Sequence, residues 1–275
     1  MSNDPQDLGY LVEAWEQSVR SLSDVVSGLT EGQWNRATEC PGWSIRDVVS
    51  HVIGVELELL GDPRPIHTLP SDLAHVRPGD EFSRYCEIPV DVRRCHTAAE
   101  MTGELSYVLM RRLRMLRDSE TAPETEVRGM MGRSTPYRHL LRSRAFDVWA
   151  HEQDIRRATG LPGNLDSPAA QISRDFLLRQ LPLVVAEDAK IPAGNAVVFD
   201  VHGPLEFMRT VTVQPGGKAA LDGQVPLAPL VRFSTDWETF ARLMCGRIRP
   251  QHADVKVDGD RRAADLILAE MAVTL

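Results

Sequence analysis

Up to Gly160 the apolar residues of this chain recur at the three-to-four-residue spacing of amphipathic helices, and that period limits what the first half can fold into. Leu8, Leu11, Val12, Trp15, Val19, Leu22, Val26 and Leu29 form one stripe, with Asp4 placed to cap it and Pro5 suited to its first turn. A second helix opens at the S-x-x-D pattern of Ser44 and Asp47, buries Ile45, Val48, Val49, Val52, Leu59 and Leu60, and stops at Gly61 and Pro63. A third is predicted from Val90 to Arg117 on Cys95, Ala98, Thr102, Leu105, Leu109, Leu113 and Leu116, and a fourth from Thr135–Pro136 to Gly160, with Pro162 just beyond. Four long helices joined by unequal connections read as a four-helix bundle. The stretch from Gly61 to about Pro89 is rich in Pro, Asp and His, and its length marks it as a lid or pocket wall.

The texture changes after Gly160. One more helix is predicted over Ser167 to Glu187, then strand-like runs at Ala196–Val201, Leu205–Val213 and Leu230–Phe233, punctuated by Gly203–Pro204 and Pro215–Gly216–Gly217. Thr235 with Glu238 reads as a capping box for a helix closed by Gly246, Val255–Val257 as a further strand, and Asp260 as the cap of a last helix. The chain therefore divides into a helical domain, residues 1–160, and a smaller α+β domain, residues 161–275.

The balance of 31 basic and 39 acidic residues gives a net charge of −8, which argues against a broad nucleic-acid footprint. Arg111, Arg112 and Arg114 sit among Leu and Met and read as the solvated face of a helix. The start of the chain has neither a basic nor an apolar leader segment, and no run is apolar enough to span a membrane. Cys40, Cys86, Cys95 and Cys245 are scattered without a C-x-x-C pair, which suits a reducing cytoplasm; with the charge balance and the lack of an apolar span, this predicts a cytoplasmic protein with no nucleic-acid partner and no membrane. Nothing in the pattern specifies an oligomeric state.

The chemistry concentrates in the fourth helix. At about 100° per residue, Arg144, Asp147, His151 and Asp154 fall within roughly 80° of one another, inside the apolar sector of Leu140, Val148, Ile155 and Ala158. Buried charges are costly unless paired or coordinated. Asp147 and His151, four residues apart, can reach one cation, and His51 on the second helix is the best third ligand. Two histidines and a carboxylate leave positions open, as in catalytic zinc or non-haem iron sites. The same spacing also fits an ordinary Asp–His ion pair. Asp154 and Glu152 could orient the ligands, although Glu152 reads more simply as solvated. His67, His75, His96, His139, His202 and His252 show no ligand spacing, and Cys40 is a nucleophile candidate to which no base can be assigned.

Two segments, CPGWSIRDVVSHVIG at 40–54 and RAFDVWAHEQDIRRATGLP at 144–162, resemble the mycothiol-dependent maleylpyruvate isomerase family, part of the DinB-like metal-dependent group. LMCGRIRPQHADVKVDGD at 243–260 is similar to that family's C-terminal domain, in which a GR turn is followed by GD before the last helix. The resemblance implies a DinB-like four-helix bundle followed by a smaller, sterol-carrier-like α+β domain. It implies a divalent metal, usually zinc, on His51, Asp147 and His151, with Asp147 standing where relatives can carry Glu. It implies mycothiol, the small thiol of actinobacteria, as cosubstrate, in a cis-trans isomerase or a transferase acting on a small-molecule substrate that is an electrophile. It also suggests an arginine of the second domain for a carboxylate-bearing substrate, here Arg247, whose alternative role is to complement the end of its own helix. A metal-dependent hydrolase and a non-catalytic ligand-binding protein remain open on the same scaffold.

Overall fold

The computed structural model describes residues 7–76 and 79–274 and divides into two compact units, Met1–Ile172 and Ser173–Leu275. The division falls inside a helix, Pro168–Leu178, beyond the Gly160 loop at which the sequence texture changes.

The first unit is built on four long helices: α1 (Leu8–Ser27), α3 (Ile45–Leu59), α5 (Ala98–Arg117) and α6 (Tyr137–Thr159), with short α2 (Glu31–Trp34) and α4 (Glu81–Asp91) between them. They close a ring in which α1 packs on α5 and α6, and α3 packs on the same two helices. The α1 cap is Asp7, whose carboxylate accepts from Gly9 N; Asp4 and Pro5 lie outside the described residues. The Ser44–Asp47 capping box forms as expected: Ser44 N donates to Asp47 Oδ2 at 2.9 Å. Gly160 ends α6 in the left-handed conformation, φ 71°.

The element boundaries of the first unit need correction in two places. The predicted third helix is divided into α4 and α5. Asp80 caps α4, Thr97 and Glu100 form a capping box that starts α5, and Cys95 lies exposed in the turn between them rather than in the buried stripe. Pro89 is tolerated in the last turn of α4, where it packs against Gly54 of α3; a Cβ at Gly54 would come within 2.4 Å of it. The long loop is accordingly shorter than expected, ending at Asp80. A small antiparallel hairpin, β1 (Glu126–Arg128) with β2 (Ser134–Pro136), leads into α6.

After α7 (Pro168–Leu178) the helical path breaks into a short α8 (Leu181–Leu183) carrying Pro182 and a π-helical turn, Val184–Asp188. The second unit is a five-stranded sheet in the order β5 (Ala219–Asp222), β4 (Phe207–Val213), β3 (Ala196–His202), β6 (Val231–Asp236), β7 (Lys256–Gly259). Only β3 and β6 run parallel, which puts Phe199 opposite Phe233 with ring centroids 5.3 Å apart. Phe240 of α9 (Trp237–Met244) packs on Phe199 and Phe207. The predicted Thr235–Glu238 box is displaced by one residue. Thr235 stays in β6 and donates to Asp254 O, and Asp236 caps α9 through Thr239 N. In the GD pair, a Cβ at Gly259 (φ 108°) would meet Leu230 O at 2.3 Å, while Asp260 caps α10 (Arg261–Ala269) through Ala263 N.

Candidate metal centre

The buried faces of α3 and α6 meet at His51 and His151, each at most 6% exposed. Their rings lie edge to face with centroids 4.9 Å apart. Asp147, one turn before His151, completes the group: Oδ2 is 3.6 Å from His51 Nε2 and Oδ1 is 3.8 Å from His151 Nε2. One ligand atom from each of the three falls within 4.8 Å of the others. These separations are too long for hydrogen bonds and suit groups arranged around a cation. Both ring nitrogens of His51 are buried and have no hydrogen-bond partner. A buried imidazole in that state is a polar group lacking its counterpart, and a divalent ion on Nε2 supplies one. The residues fit the metal.

Electrostatics keep the donors in ligating form. Burial lowers the His51 pKa, and the charges of His151 and Arg144 act in the same direction against Asp147. Burial raises Asp147, but Arg144, His51 and His151 outweigh it and hold the carboxyl well below its ordinary value. A neutral imidazole and an ionised carboxylate are the forms a metal requires. His151 Nδ1 lies 3.2 Å from Asp154 Oδ2, so Nδ1–H donates to Asp154 and Nε2 is left free. Asp154 is fully buried and its other oxygen accepts from Arg157 Nη2.

Sequence reasoning brings His51, Asp147, His151 and Asp154 to one place, as the geometry has them, but it misses Trp43 and does not place Cys40 beside them. Trp43 packs against both histidine rings, at 5.1 and 5.9 Å, and its indole donates to Glu87 Oε2 at 2.9 Å. Cys40 forms with His151 and Asp154 the other metal-ligand-like group among the described residues. Burial, then the Asp147 charge, push the Cys86 thiol up to about 12. Trp43 and Cys40 sit in the loop before α3, where periodicity is silent. Glu152 is not solvated. It is fully buried and bound by Ser21, Arg156 and Asn164, none of which is a candidate ligand. Arg112 is not on a solvated face either: it is buried and paired with Glu56. Arg247, in the second unit, follows Gly246 (φ 66°) and donates to Cys245 O at 2.8 Å.

Two family models match the chain. The mycothiol maleylpyruvate isomerase N-terminal domain covers residues 15–156, and the C-terminal domain of the same isomerase covers residues 171–266. The chain belongs to the mycothiol maleylpyruvate isomerase family. Among solved structures, the crystal structure of the mycothiol-dependent maleylpyruvate isomerase superposes over 92% of this chain and 93% of that one, with TM-score 0.59 at 16% identity. A histidine-to-alanine mutant of the mycothiol-dependent maleylpyruvate isomerase gives 0.56 at 15% identity over the same shares. At that identity the likeness establishes the mixed fold, a helical first region with a sheet-containing second one. Comparison with curated protein sequences gave no match. No helix among the described residues is long and apolar enough to cross a membrane.

Proposed function

We propose that this protein is a metal-dependent thiol enzyme that uses mycothiol on a small electrophilic substrate, as a cis-trans isomerase or an S-transferase. The observation that carries the reading is the meeting of His51, Asp147 and His151 around His51 nitrogens that lack any other partner, in a chain of this family. A divalent metal held there, zinc in this reading, would lower the pKa of a bound thiol so that the thiol could react as thiolate.

The chain's own residues do the remaining work. His51 Nε2, His151 Nε2 and one oxygen of Asp147 are the ligands. Asp154 fixes the His151 tautomer. Arg144 Nη1, donating to Asp147 Oδ2 at 2.8 Å, keeps that carboxylate ionised and turned toward the histidines. Trp43 covers the histidine pair and keeps water from that side. On the resemblance alone, Arg247 is assigned to a carboxylate of the substrate.

The test is to load the protein with zinc and follow two reactions. One is loss of free mycothiol in the presence of electrophiles. The other is isomerisation of a cis-enedioate such as maleylpyruvate, which requires the thiol without consuming it. Thiol-dependent acceleration of either is expected. Turnover without thiol would point to hydrolysis by activated water, and acceleration of neither would overturn the catalytic reading.

A further inference from the structure

Behind Asp147 lies a polar node that the ligand set does not use. Glu56, on α3, accepts on Oε1 from Trp15 Nε1 of α1 at 3.0 Å and from Arg144 Nε of α6 at 2.9 Å. Its Oε2 accepts from Arg112 Nε of α5 at 3.0 Å. One carboxylate thus ties all four long helices together, and each of the four residues is 2% exposed or less. The node continues into the candidate metal centre, because the Arg144 fork that binds Glu56 through Nε binds Asp147 Oδ2 through Nη1.

Two features set this apart from an ordinary core ion pair. The first is charge. Arg112 and Arg144 are balanced by Glu56 and Asp147, so the group is neutral before a dication arrives. Isolated in a poorly polarisable interior, a change of one unit at Glu56 or Arg112 acts on a nearby dication with little screening. The second is direction. The planar Arg144 fork is held from behind at Nε, so its Nη1 has a fixed aim at Asp147 Oδ2. That bond fixes the turn of the carboxylate, with Oδ2 3.6 Å from His51 Nε2 and Oδ1 3.8 Å from His151 Nε2.

Resting on the metal reading above, we propose that Glu56 and Arg112 are positioning residues for the metal centre: Glu56 aims Arg144 at Asp147, and the opposed charges of Glu56 and Arg112 set how tightly a divalent cation is held. Neither residue touches the cation. A merely structural role for the node makes every disruption weaken binding alike, whereas charge control gives the two residues opposite signs.

The experiment uses the full-length protein and zinc alone, with affinity read by competition against a chromophoric chelator and folding checked by thermal denaturation of the metal-free forms. Glu56→Gln removes the anion and is expected to weaken zinc binding by about tenfold or more. Arg112→Met leaves both Oε1 bonds in place, adds a net negative charge, and is expected to bind zinc more tightly than wild type. The double variant, Glu56→Gln with Arg112→Met, sets a neutral amide against a thioether in place of the carboxylate–guanidinium pair. It restores neutrality and is expected to return to within a few-fold of wild type. If Arg112→Met weakens binding, or the double variant is no better than Glu56→Gln, charge control is overturned. Because Arg112→Met keeps the bonds to Trp15 and Arg144, its sign decides the matter even if Glu56→Gln fails to fold. A wild type that binds no zinc overturns the metal reading and this inference with it. Wild-type binding with both single variants unchanged overturns this inference alone.

Discussion

His151 Nδ1 is held at 3.2 Å by Asp154 Oδ2, whereas neither nitrogen of His51 has a hydrogen-bond partner. The two candidate ligands are therefore prepared differently. His151 is oriented by the protein, and on the proposed reading His51 would find the counterpart to its buried nitrogen only in the metal. Asp154→Asn should accordingly lower zinc affinity by about 10–100-fold while leaving a site that fills at high metal. His51→Ala should abolish stoichiometric binding. Chelator competition measures the first and elemental analysis the second. Equal affinity for Asp154→Asn and wild type would remove Asp154 from the site.

The metal-free protein should lose stability as pH falls through the histidine range. Burial depresses the His51 pKa below its ordinary value of 6.5, so the unfolded chain binds the extra proton first. Stability then rises with pH in this window, is full above the unfolded value, and is lost as pH falls toward the folded one. Thermal denaturation at pH 7.5 and pH 5.5 should show a drop in Tm for the metal-free wild type and a smaller drop for His51→Gln. Saturating zinc should raise Tm at the higher pH and protect less at the lower one, because protons compete for the same nitrogens.

Thiol labelling should distinguish the cysteines. Cys86 is buried and its pKa is pushed up to about 12 by that burial and by Asp147, so almost none of it is thiolate at pH 8. Cys95 is exposed in the turn before α5. Native alkylation followed by peptide mass mapping should modify Cys95 first and leave Cys86 untouched until the protein unfolds. Early modification of Cys86 would contradict its burial.

All three candidate ligands belong to the first unit, Met1–Ile172. A chain ending at Ile172 should therefore bind zinc with the stoichiometry of the full-length protein. Elemental analysis showing no metal in a folded truncated form would mean that the second unit contributes to the site.

The helical period grouped the candidate ligands because His51, Asp147 and His151 lie on or beside stripes that the period reveals. It also carried information that composition obscured. Arg112 stands three residues after Leu109 and four before Leu116, on the buried stripe of α5, and Glu56 stands four after Val52 and three before Leu59 on that of α3. Reading the Arg cluster as a solvated face put the habit of the residue type above its position. Trp43 and Cys40 had no such signal, because the loop between α2 and α3 has no period and only the tertiary fold brings it over the histidines. The shift from Thr235 to Asp236 as the α9 cap depends on how far β6 continues, which pairing with β3 up to Asp236 decides and local sequence does not.

Asp147 gives the most complete test, since it joins the charge network to the candidate ligand set. Its carboxyl is held well below the ordinary value against the opposing effect of burial, first by Arg144 and then by the two histidines. A depressed folded-state value means a stabilising contribution that is present above the unfolded value near 3.8 and is lost as pH falls toward the folded one. Asp147→Asn keeps the shape, removes the charge, and leaves Arg144 with Glu56 as its only anionic partner. Two results are expected from this one variant. At neutral pH it should retain little metal, because an amide oxygen is a poor substitute for a carboxylate on a dication. Its metal-free form should also be less stable than metal-free wild type at pH 7, with the difference shrinking as pH is lowered below about 4, where the Asp147 carboxyl of the unfolded chain begins to protonate while the folded one stays ionised. Elemental analysis and a pH series of denaturant melts measure the two separately. Retained metal with lost stability would make Asp147 a partner of Arg144 and no ligand. Lost metal with unchanged stability would make it a ligand whose ion pair contributes nothing to the fold.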